Sequence, residues 1–345
     1  MRGFDFNKPV KLKPFYSVTI REDRIMIFFP PFEFYEVKDN AHKDTDLKKL
    51  VLVRRDSIYI EFIKKLMSDC VNVEVFIEER NLSKREAKVI KEFSQDLWES
   101  NMVMTCYNDE FTDERKEWVY FLSKFTNEPQ DVLKMVLSTD ILFILPREFT
   151  NTFEEYLNNE LKIFSNIKIS TVDYRDGIGN VLEKSFKEYD YIVSIVNGFR
   201  PSFILKLNKL TINYKKILLP IVYLQDNALS IIGPTVIEGY PCWNCFYKRF
   251  LSTGANPFIY SFVDDNSIVN PSPVGFLFKG LLHKVFPHII LIVGNIMTSP
   301  TLGRVIFVNL IDGSFESHPV LRVPTCEHCG YKRGKGSLTI SPYLY

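Results

Sequence analysis

In the first 105 residues, apolar and polar residues alternate up to Lys38, and apolar residues recur at helical spacing after Asp56. From Ser17 to Lys38, β-forming residues alternate, and turn residues at Glu22-Asp23 and Pro30-Pro31 divide the run. This pattern predicts three short antiparallel strands. Beyond Asp56 the apolar residues recur at helical spacing, which predicts three helices. Three strands and three helices within residues 1–105 indicate a small α+β domain of the winged-helix type.

The last predicted strand and the third predicted helix offer a surface for a peptide. An edge strand leaves unpaired main-chain donors and acceptors, which an extended peptide can complete as an added strand. Apolar side chains beside that edge can select the peptide's own residues. The alternative is that many of these strand aromatics fill the small core, because alternate strand residues face opposite sides. The predicted peptide-binding residues come from the strand and from the apolar stripe of the helix: Phe32, Phe34, Tyr35, Val37, Val89, Phe93 and Leu97.

DNA binding is the usual function of a winged helix, so the charge of the third helix matters. Between Ser83 and Glu99 four basic residues stand against four acidic ones. A recognition helix for DNA needs an excess of positive charge toward the phosphates. The balanced charge therefore argues against a nucleic-acid partner.

The second part of the chain alternates between apolar strands and amphipathic helices. Its first strand, Asp140 to Leu145, is a continuous apolar run, as in a strand that is buried on both faces of a parallel sheet. The alternation predicts a doubly wound α/β sheet in a second domain, residues 106–345. Further predicted helices span 150–164, 181–188 and 201–210, and further strands span 167–172, 191–196 and 217–223.

The turn after the first of these strands contains no glycine. Nucleotide-binding sheets need glycines at this turn so that the main chain can approach the phosphates. Here the strand runs into Pro146 to Thr150, in which Pro146 lacks an amide donor and Glu148 repels phosphate. The sequence therefore predicts no bound ATP in this chain. The five histidines are scattered and no nucleophile motif is present, so no catalytic residue is predicted.

Two Cys-x-x-Cys motifs are the strongest chemical signal in the chain. Cys242 and Cys245 form the first, and Cys326 and Cys329 form the second. Each motif presents two thiolates to one metal ion, and two motifs complete a tetrahedral sulfur shell around zinc. A catalytic zinc keeps one position open, so four cysteines predict a structural site. The alternatives are redox-active or disulfide-bonded pairs, but a redox Cys-x-x-Cys usually occurs once, at the start of a helix.

Composition and charge fit an ordinary soluble protein. The 345 residues are 46% hydrophobic and 25% charged, with a formal net charge of +1. The near-neutral balance removes the electrostatic reason to expect nucleic acid or an anionic membrane. The most apolar region, Val274 to Ile296, contains lysines and a proline, which predicts buried core rather than a membrane span. We expect a cytoplasmic protein in which Cys70 and Cys106 are reduced, small buried side chains.

The second part resembles the E1-like family of ubiquitin and sulfur-carrier activating proteins. The resemblance is carried by Tyr189 to Asn197, by Arg200 with Asn208, and by Ile232 to Val236 leading into the first motif. The run GPTVIEGYPCWNCFYKR with a late VPTCEHCG is more specifically similar to the E1-like partner proteins of azoline-forming cyclodehydratases in ribosomal peptide natural-product pathways. Members of that group carry an N-terminal winged-helix domain that binds the leader of a precursor peptide.

The resemblance implies a noncatalytic scaffold. The first domain would capture the leader peptide, and the second would dock onto a YcaO-type subunit that uses ATP. The resemblance also leaves open that an azoline dehydrogenase is a further partner and that the chain forms a homodimer. Tethering a substrate raises its effective concentration at the active site, so such a scaffold can still control turnover. The competing interpretations are an active E1-like adenylyltransferase and a zinc-bearing transcription regulator.

Overall fold

The computed structural model describes two compact units, Met1–Met135 and Val136–Tyr345. Each unit has its own apolar core. The residues that the structure describes are 4–14, 17–20, 24–28, 51–54, 57–106, 113–161, 168–172, 180–224, 228–252, 275–296 and 299–330.

The first unit combines two small sheets with helices. Strand β1 pairs with β5, and strands β2, β3 and β4 form a three-stranded antiparallel sheet. Helix α5 begins in this unit and ends just beyond its boundary. The elements are β1 Val10–Leu12, β2 Ser17–Ile20, β3 Arg24–Phe28, β4 Val51–Arg54, α1 Ser57–Ser68, α2 Val73–Glu79, α3 Lys84–Glu99, β5 Val103–Thr105, α4 Asp113–Ser123 and α5 Pro129–Leu137.

The three-stranded sheet contains the first two predicted strands and a further strand, β4. The two strands that follow Ser17 are present as β2 and β3. The third described strand is β4, which pairs antiparallel with β3 and places Val53 opposite Ile25. The strand predicted from the aromatic run lies outside the described residues, as do its members Phe32, Phe34, Tyr35 and Val37.

Helix α3 begins as its sequence predicts and buries its apolar stripe. The Ser83 hydroxyl accepts from the Glu86 main-chain N–H while the Glu86 carboxylate accepts from the Ser83 N–H, which satisfies two donors at the helix start. Ile90 and Leu97 are fully buried in the core of the first unit. Phe62 from α1 belongs to the same core. The helix is therefore held by packing as well as by its cap.

Cys70 and Cys106 form a disulfide, which corrects the prediction that both are reduced, buried thiols. The backbone brings them together from both sides of β1. Val10 and Val71 exchange main-chain hydrogen bonds of 2.8 and 2.7 Å, and the Cys106 N–H donates to Pro9. The expectation of reduced cysteines rested on the expected compartment, whereas the pairing follows from the register of these segments.

Residues after Thr105 continue to pack with the first unit. The Thr105 N–H donates to the Asn127 carbonyl at 2.8 Å, and the Asn127 side-chain amide donates to the Trp98 carbonyl at 2.7 Å. Lys8 pairs with Glu128 at 3.3 Å. The described residues 113–135 therefore lie in the first compact unit, Met1–Met135.

The second unit is built on a seven-stranded mixed sheet with the order β12-β11-β10-β9-β8-β6-β7. The four strands from β9 to β7 are parallel to one another, and β10, β11 and β12 continue the sheet antiparallel. The predicted parallel α/β sheet therefore corresponds to β6 to β9, and the antiparallel strands β10 to β12 were not predicted. The elements are β6 Ile141–Pro146, α6 Thr150–Glu160, β7 Ile169–Val172, α7 Asn180–Glu188, β8 Tyr191–Asn197, α8 Pro201–Asn213, β9 Ile217–Leu224, β10 Leu229–Ile232, α9 Trp243–Ser252, α10 Gly275–Val293, β11 Arg304–Asn309 and β12 Phe315–Pro319.

Helix α10 packs as a core helix of the second unit. Its Phe278 stacks on Phe149 with ring centroids 4.4 Å apart, and its Phe286 stacks on Phe143 of β6. By length and composition alone, α10 is apolar enough to cross a membrane, but 56% of its most apolar window is buried inside the unit. Its burial matches the prediction of buried core for this region.

Candidate metal centre

The first cysteine motif lies at the start of α9. Cys242 directly precedes the helix, and its carbonyl accepts from the N–H groups of Cys245 and Phe246 at 3.0 and 3.3 Å. This tight turn places both sulfur atoms on one side of the chain. Both cysteines are fully buried. The first half of the predicted site is therefore held by the fixed geometry of a helix start.

The second cysteine motif follows the edge strand β12. The Cys326 N–H donates to Val323 at 3.0 Å, and the Gly330 N–H closes the turn on the Cys326 carbonyl at 2.8 Å. The main chain approaches itself closely here, because a Cβ atom on Gly330 would lie 2.3 Å from the Cys326 oxygen. Gly330 is thus required by space, and its position sets the shape of the second motif.

The two motifs bring all four predicted ligands together. The sulfur of Cys242 lies 3.7 Å from that of Cys326, and the sulfur of Cys245 lies 3.3 Å from that of Cys329. All four Sγ atoms lie within 4.8 Å of one another. Zinc–sulfur bonds of about 2.3 Å put the corners of a tetrahedron roughly 3.8 Å apart. The spacing therefore fits one tetrahedral ion.

Hydrogen-bond donors point at the sulfur atoms from both motifs. The Val323 N–H donates to Cys245 Sγ at 3.3 Å, and the Asn244 side-chain amide donates to Cys326 Sγ at 3.4 Å. Such donors stabilise thiolates and orient them toward a metal. The donor set and the buried, sulfur-rich surroundings are those of a zinc site.

The close packing of the thiols shifts their pKa values in opposite directions. Hydrogen bonding with Cys245, then with Cys329, together with burial, raises the pKa of Cys242. Hydrogen bonds from Cys242 and Cys329 lower the pKa of Cys245 to about 2. The thiols thus share protons unequally, and four thiolates this close together, three of them buried, require a positive ion between them. Binding a divalent metal at this site would release thiol protons.

Asn208 on α8 contacts both cysteine motifs through its side-chain amide. The sequence analysis named Asn208 only as part of the family resemblance and did not predict this bridging role. Its side-chain oxygen accepts from the Trp243 N–H at 3.0 Å, and its amide nitrogen lies within hydrogen-bond distance of His328 Nδ1. Burial lowers the pKa of His328, which keeps the imidazole neutral and suits it to accept at Nδ1. The signal available in the sequence was an asparagine among the apolar residues of α8, and the structure shows that it is fully buried.

Two further contacts tie α9 to the C-terminal segment. Lys248 pairs with Glu327 at 2.9 Å, and the Arg249 guanidinium donates to the carbonyls of Leu321 and Arg322. Lys248 and Arg249 of α9 therefore hold the segment of the second motif in place, in addition to the contacts among the four sulfur atoms. Because four protein ligands fill a tetrahedral shell, the geometry is that of a structural clamp without an open position for substrate.

The turn after β6 is the place where the sequence lacks the glycines of a nucleotide-binding turn. Its residues form a short 3₁₀ helix, Arg147–Phe149, that leads directly into α6. Phe149 is buried, stacks on Phe278 and lies 5.7 Å from the ring of Tyr223. The turn thus carries a packed aromatic side chain where a nucleotide-binding turn carries glycine.

The predicted peptide-binding residues of α3 are placed at different depths. Leu97 is fully buried, and Phe93 is 6% exposed and contacts Tyr59 edge to face at 5.2 Å. Val89 is half-buried and retains some accessible surface. A shallow groove of about 590 Å³ runs along the opposite, charged face of the helix and includes Phe6 and Ala87. Among the described residues, α3 therefore keeps accessible surface at Val89 and along its charged face.

Comparison with known proteins gives structural likeness only. No protein family and no curated protein matches the sequence. A heterocyclase solved with substrate and cofactor matches 94% of this chain and 40% of its own, with a TM-score of 0.57 and 14% identity. The heterocyclase TruD matches 94% of this chain and 43% of its own, with a TM-score of 0.58 and 13% identity.

A third structure matches over its whole length. MccB of E. coli covers 95% of this chain and 99% of its own, with a TM-score of 0.56 and 15% identity. MccB has also been solved with ATP and with AMPCPP and MccA. This chain thus spans about two fifths of the heterocyclase chains and nearly all of MccB. At such identities the likeness shows a shared fold.

Proposed function

We propose that the protein is the leader-binding scaffold subunit of a thiazole- or oxazole-forming cyclodehydratase in ribosomal peptide natural-product biosynthesis. It delivers a precursor peptide to a YcaO-type subunit, which uses the ATP. It works in the cytoplasm and has no catalytic residue of its own. An azoline dehydrogenase is a further proposed partner, and a homodimer is compatible with this role.

The observation that carries the proposal is the match to two heterocyclases over 94% of this chain. These chains are more than twice as long as the part that this protein matches, since it covers 40% and 43% of them. In our proposal, a separate subunit supplies the activity of the part of the heterocyclase chains that this protein does not match. The two subunits need no covalent link, because a bound leader raises the concentration of the downstream peptide residues at the active site.

Within the first unit, the proposed leader site combines a winged-helix arrangement with an open strand edge. Helices α1, α2 and α3 and the antiparallel sheet of β2, β3 and β4 supply the described parts of that arrangement. The leader would add as a strand beside Phe32 to Val37 and contact α3 through Val89. Phe93 and Leu97 would support this surface from the core, since both are buried.

Within the second unit, the proposed roles are docking and structural support. A zinc ion bound by Cys242, Cys245, Cys326 and Cys329 would fix the segment after β12 onto α9. The packed turn at Phe149 supports the absence of ATP chemistry in this chain, because the main chain there has no glycine-lined approach for phosphates.

The proposal is tested by reconstitution with a YcaO-type subunit, ATP and a precursor peptide. Mass spectrometry of the peptide should show the loss of one water per ring only when both proteins are present. A leaderless peptide should react slowly in the complete mixture. Ring formation at the same rate without this chain would refute the scaffold role.

A second candidate is an E1-like ATP-dependent adenylyltransferase. It is favoured by the full-length match to MccB, for which complexes with ATP and AMPCPP exist. Calorimetric titration of the zinc-loaded chain with magnesium–ATP separates the two functions. Tight binding, followed by exchange of labelled pyrophosphate into ATP in the presence of peptide, would replace the scaffold proposal by this one.

A further inference from the structure

The Cys70–Cys106 disulfide lies at the point where three segments of the first unit meet. Val71 is bonded to Val10 through both main-chain groups, and Cys106 donates to Pro9. The cysteine Cα atoms are 5.8 Å apart, which is the common separation for a disulfide. The bond therefore connects the chain after α1 to the end of β5 across β1.

The loop that this disulfide closes contains two helices of the first unit. The two cysteines are 36 positions apart, and α2 and α3 both lie between them. Closing a loop of this size restricts the unfolded chain and so stabilises the folded unit. Reduction would leave the Val10–Val71 hydrogen bonds and the buried core in place. The reduced unit should therefore keep its fold but lose stability.

The two sulfur atoms are not equally accessible. Cys70 is exposed, whereas Cys106 is 5% exposed. Exchange requires in-line access of a thiolate to one sulfur of the bond. The exposure of the two residues therefore makes Cys70 the candidate point of attack, since Cys106 is buried.

We propose that Cys70 and Cys106 form a reversible thiol–disulfide site that couples the redox state of small cellular thiols to the stability of the α2–α3 segment. A small thiolate attacks Cys70 Sγ, the bond to Cys106 breaks, and Cys106 leaves as a thiolate that takes a proton. A second small thiolate then attacks the small-thiol sulfur of the mixed disulfide, the bond to Cys70 Sγ breaks, and Cys70 leaves as a thiolate that takes a proton while the two small thiols depart as their disulfide. Two small thiols thus supply the two electrons that reduce the pair.

This site is independent of the metal centre and of the proposed function. The four cluster cysteines lie in the second unit and are grouped with one another, and Cys70 and Cys106 lie in the first. Reversible exchange is also the usual behaviour of disulfides in reducing compartments, where they are transient, catalytic or redox-sensing.

The test uses the full zinc-loaded chain in glutathione buffers of varied ratio, with zinc present throughout. Non-reducing peptide mapping after acid quench should show the Cys70–Cys106 cross-link in oxidised glutathione and two alkylated cysteines in reduced glutathione. The first-unit melting temperature should fall by about 10 °C on reduction, as expected for a loop of this size. The double variant Cys70→Ser/Cys106→Ala should melt at the reduced temperature in every buffer.

Two results would overturn the proposal. A cross-link that persists in excess reduced glutathione while the protein stays folded would make the bond a fixed structural element. Alkylation of both cysteines in oxidised glutathione would show that the pair does not form. The mapping uses the wild-type chain, so both results can be read even if the double variant does not fold. Ser68→Ala, which leaves both cysteines in place, should respond to glutathione as the wild type does.

Discussion

The side-chain oxygen of Asn208 accepts a hydrogen bond from the main-chain N–H of Trp243 at 3.0 Å. Trp243 is the first residue of α9, so this N–H has no partner within its own helix. The other end of the same amide reaches His328 in the second cysteine motif. One buried side chain on α8 thus fixes the relative position of both motifs.

The first prediction concerns Asn208. Asn208→Ala should lower the free energy of unfolding of the zinc-loaded protein by about 1–3 kcal/mol, because a buried donor and a buried acceptor both lose a partner. Denaturant titration measures the change. Asn213→Ala is the matched control on the exposed end of the same helix and should change stability by less than about 0.5 kcal/mol. Equal effects of both variants would contradict the bridging role.

The second prediction concerns the metal. The purified chain should hold about one zinc ion, and Cys326→Ser should lose it, because a tetrahedral site needs all four ligands. Metal binding is coupled to folding, so the variant should also melt at a lower temperature. Elemental mass spectrometry after gel filtration measures the content. Cys70→Ser lies outside the cluster and should keep the ion, and a stable metal-free wild type would contradict the site.

The pairing of cysteines within each motif and the parallel strands were predictable because their signals are local. Spacing within a Cys-x-x-Cys turn is set by a few residues, and a buried parallel strand such as Ile141–Pro146 is apolar throughout. The antiparallel extension by β10, β11 and β12 was not predicted. Strand β12 is exposed at most of its positions, so its sequence carries no alternating apolar pattern.

Features that depend on distant segments escaped the sequence analysis. Strand β4 has only the four residues Val51–Arg54, and its pairing with β3 is set across a long intervening segment. The Cys70–Cys106 bond depends on the register of β1 with its neighbours. Periodicity predicts that Phe93 and Leu97 lie on one apolar stripe of α3. It does not predict which residues of that stripe are buried in the core, as both are, and which stay accessible.

The third prediction concerns Gly330. In Gly330→Ala the new Cβ would lie 2.3 Å from the Cys326 oxygen and 2.8 Å from its nitrogen, so the second motif must shift. Because these are main-chain atoms of a ligand residue, zinc affinity should fall by about tenfold or more, as for other changes around metal ligands. Competition with a chromogenic chelator measures the affinity.

The control for this variant is Gly280→Ala in α10. A Cβ atom at Gly280 meets no atom within 4 Å, and alanine is favoured over glycine inside a helix by about 1 kcal/mol. Zinc affinity should therefore be unchanged and stability equal or higher. If both glycine variants bind zinc as the wild type does, the close approach at Gly330 does not govern the site.

The fourth prediction concerns the end of the first unit. A fragment ending at Thr105 loses Asn127, which is the partner of both the Thr105 N–H and the Trp98 carbonyl. It should therefore be less stable than a fragment ending at Leu137, by about 1–3 kcal/mol for the lost hydrogen bonds. The shorter fragment also loses Cys106, so both fragments are compared in reducing buffer, where the Cys70–Cys106 bond does not contribute. Urea unfolding followed by circular dichroism compares the two. Equal midpoints would show that residues 106–137 do not stabilise the first unit.

The last prediction separates the two accessible faces of α3. Val89→Glu should weaken binding of a fluorescent precursor leader by about 1–3 kcal/mol, the range for one apolar anchor at an interface, if the leader lies beside the predicted strand. Ala87 is also half-buried on α3 but lines the charged groove, so Ala87→Glu is the matched control and should bind nearly as the wild type. Fluorescence anisotropy gives both affinities.

Charged substitution at Phe93 is unsuitable for this test, although Phe93 belongs to the same predicted surface. It is 6% exposed and packs on Tyr59 and Phe62, so an aspartate there would bury an unpaired charge and destabilise the unit itself. Val89 and Ala87 avoid that cost because neither is fully buried. Loss of leader binding in Ala87→Glu with full binding in Val89→Glu would move the proposed leader site to the groove beside Phe6, on the opposite face of the helix.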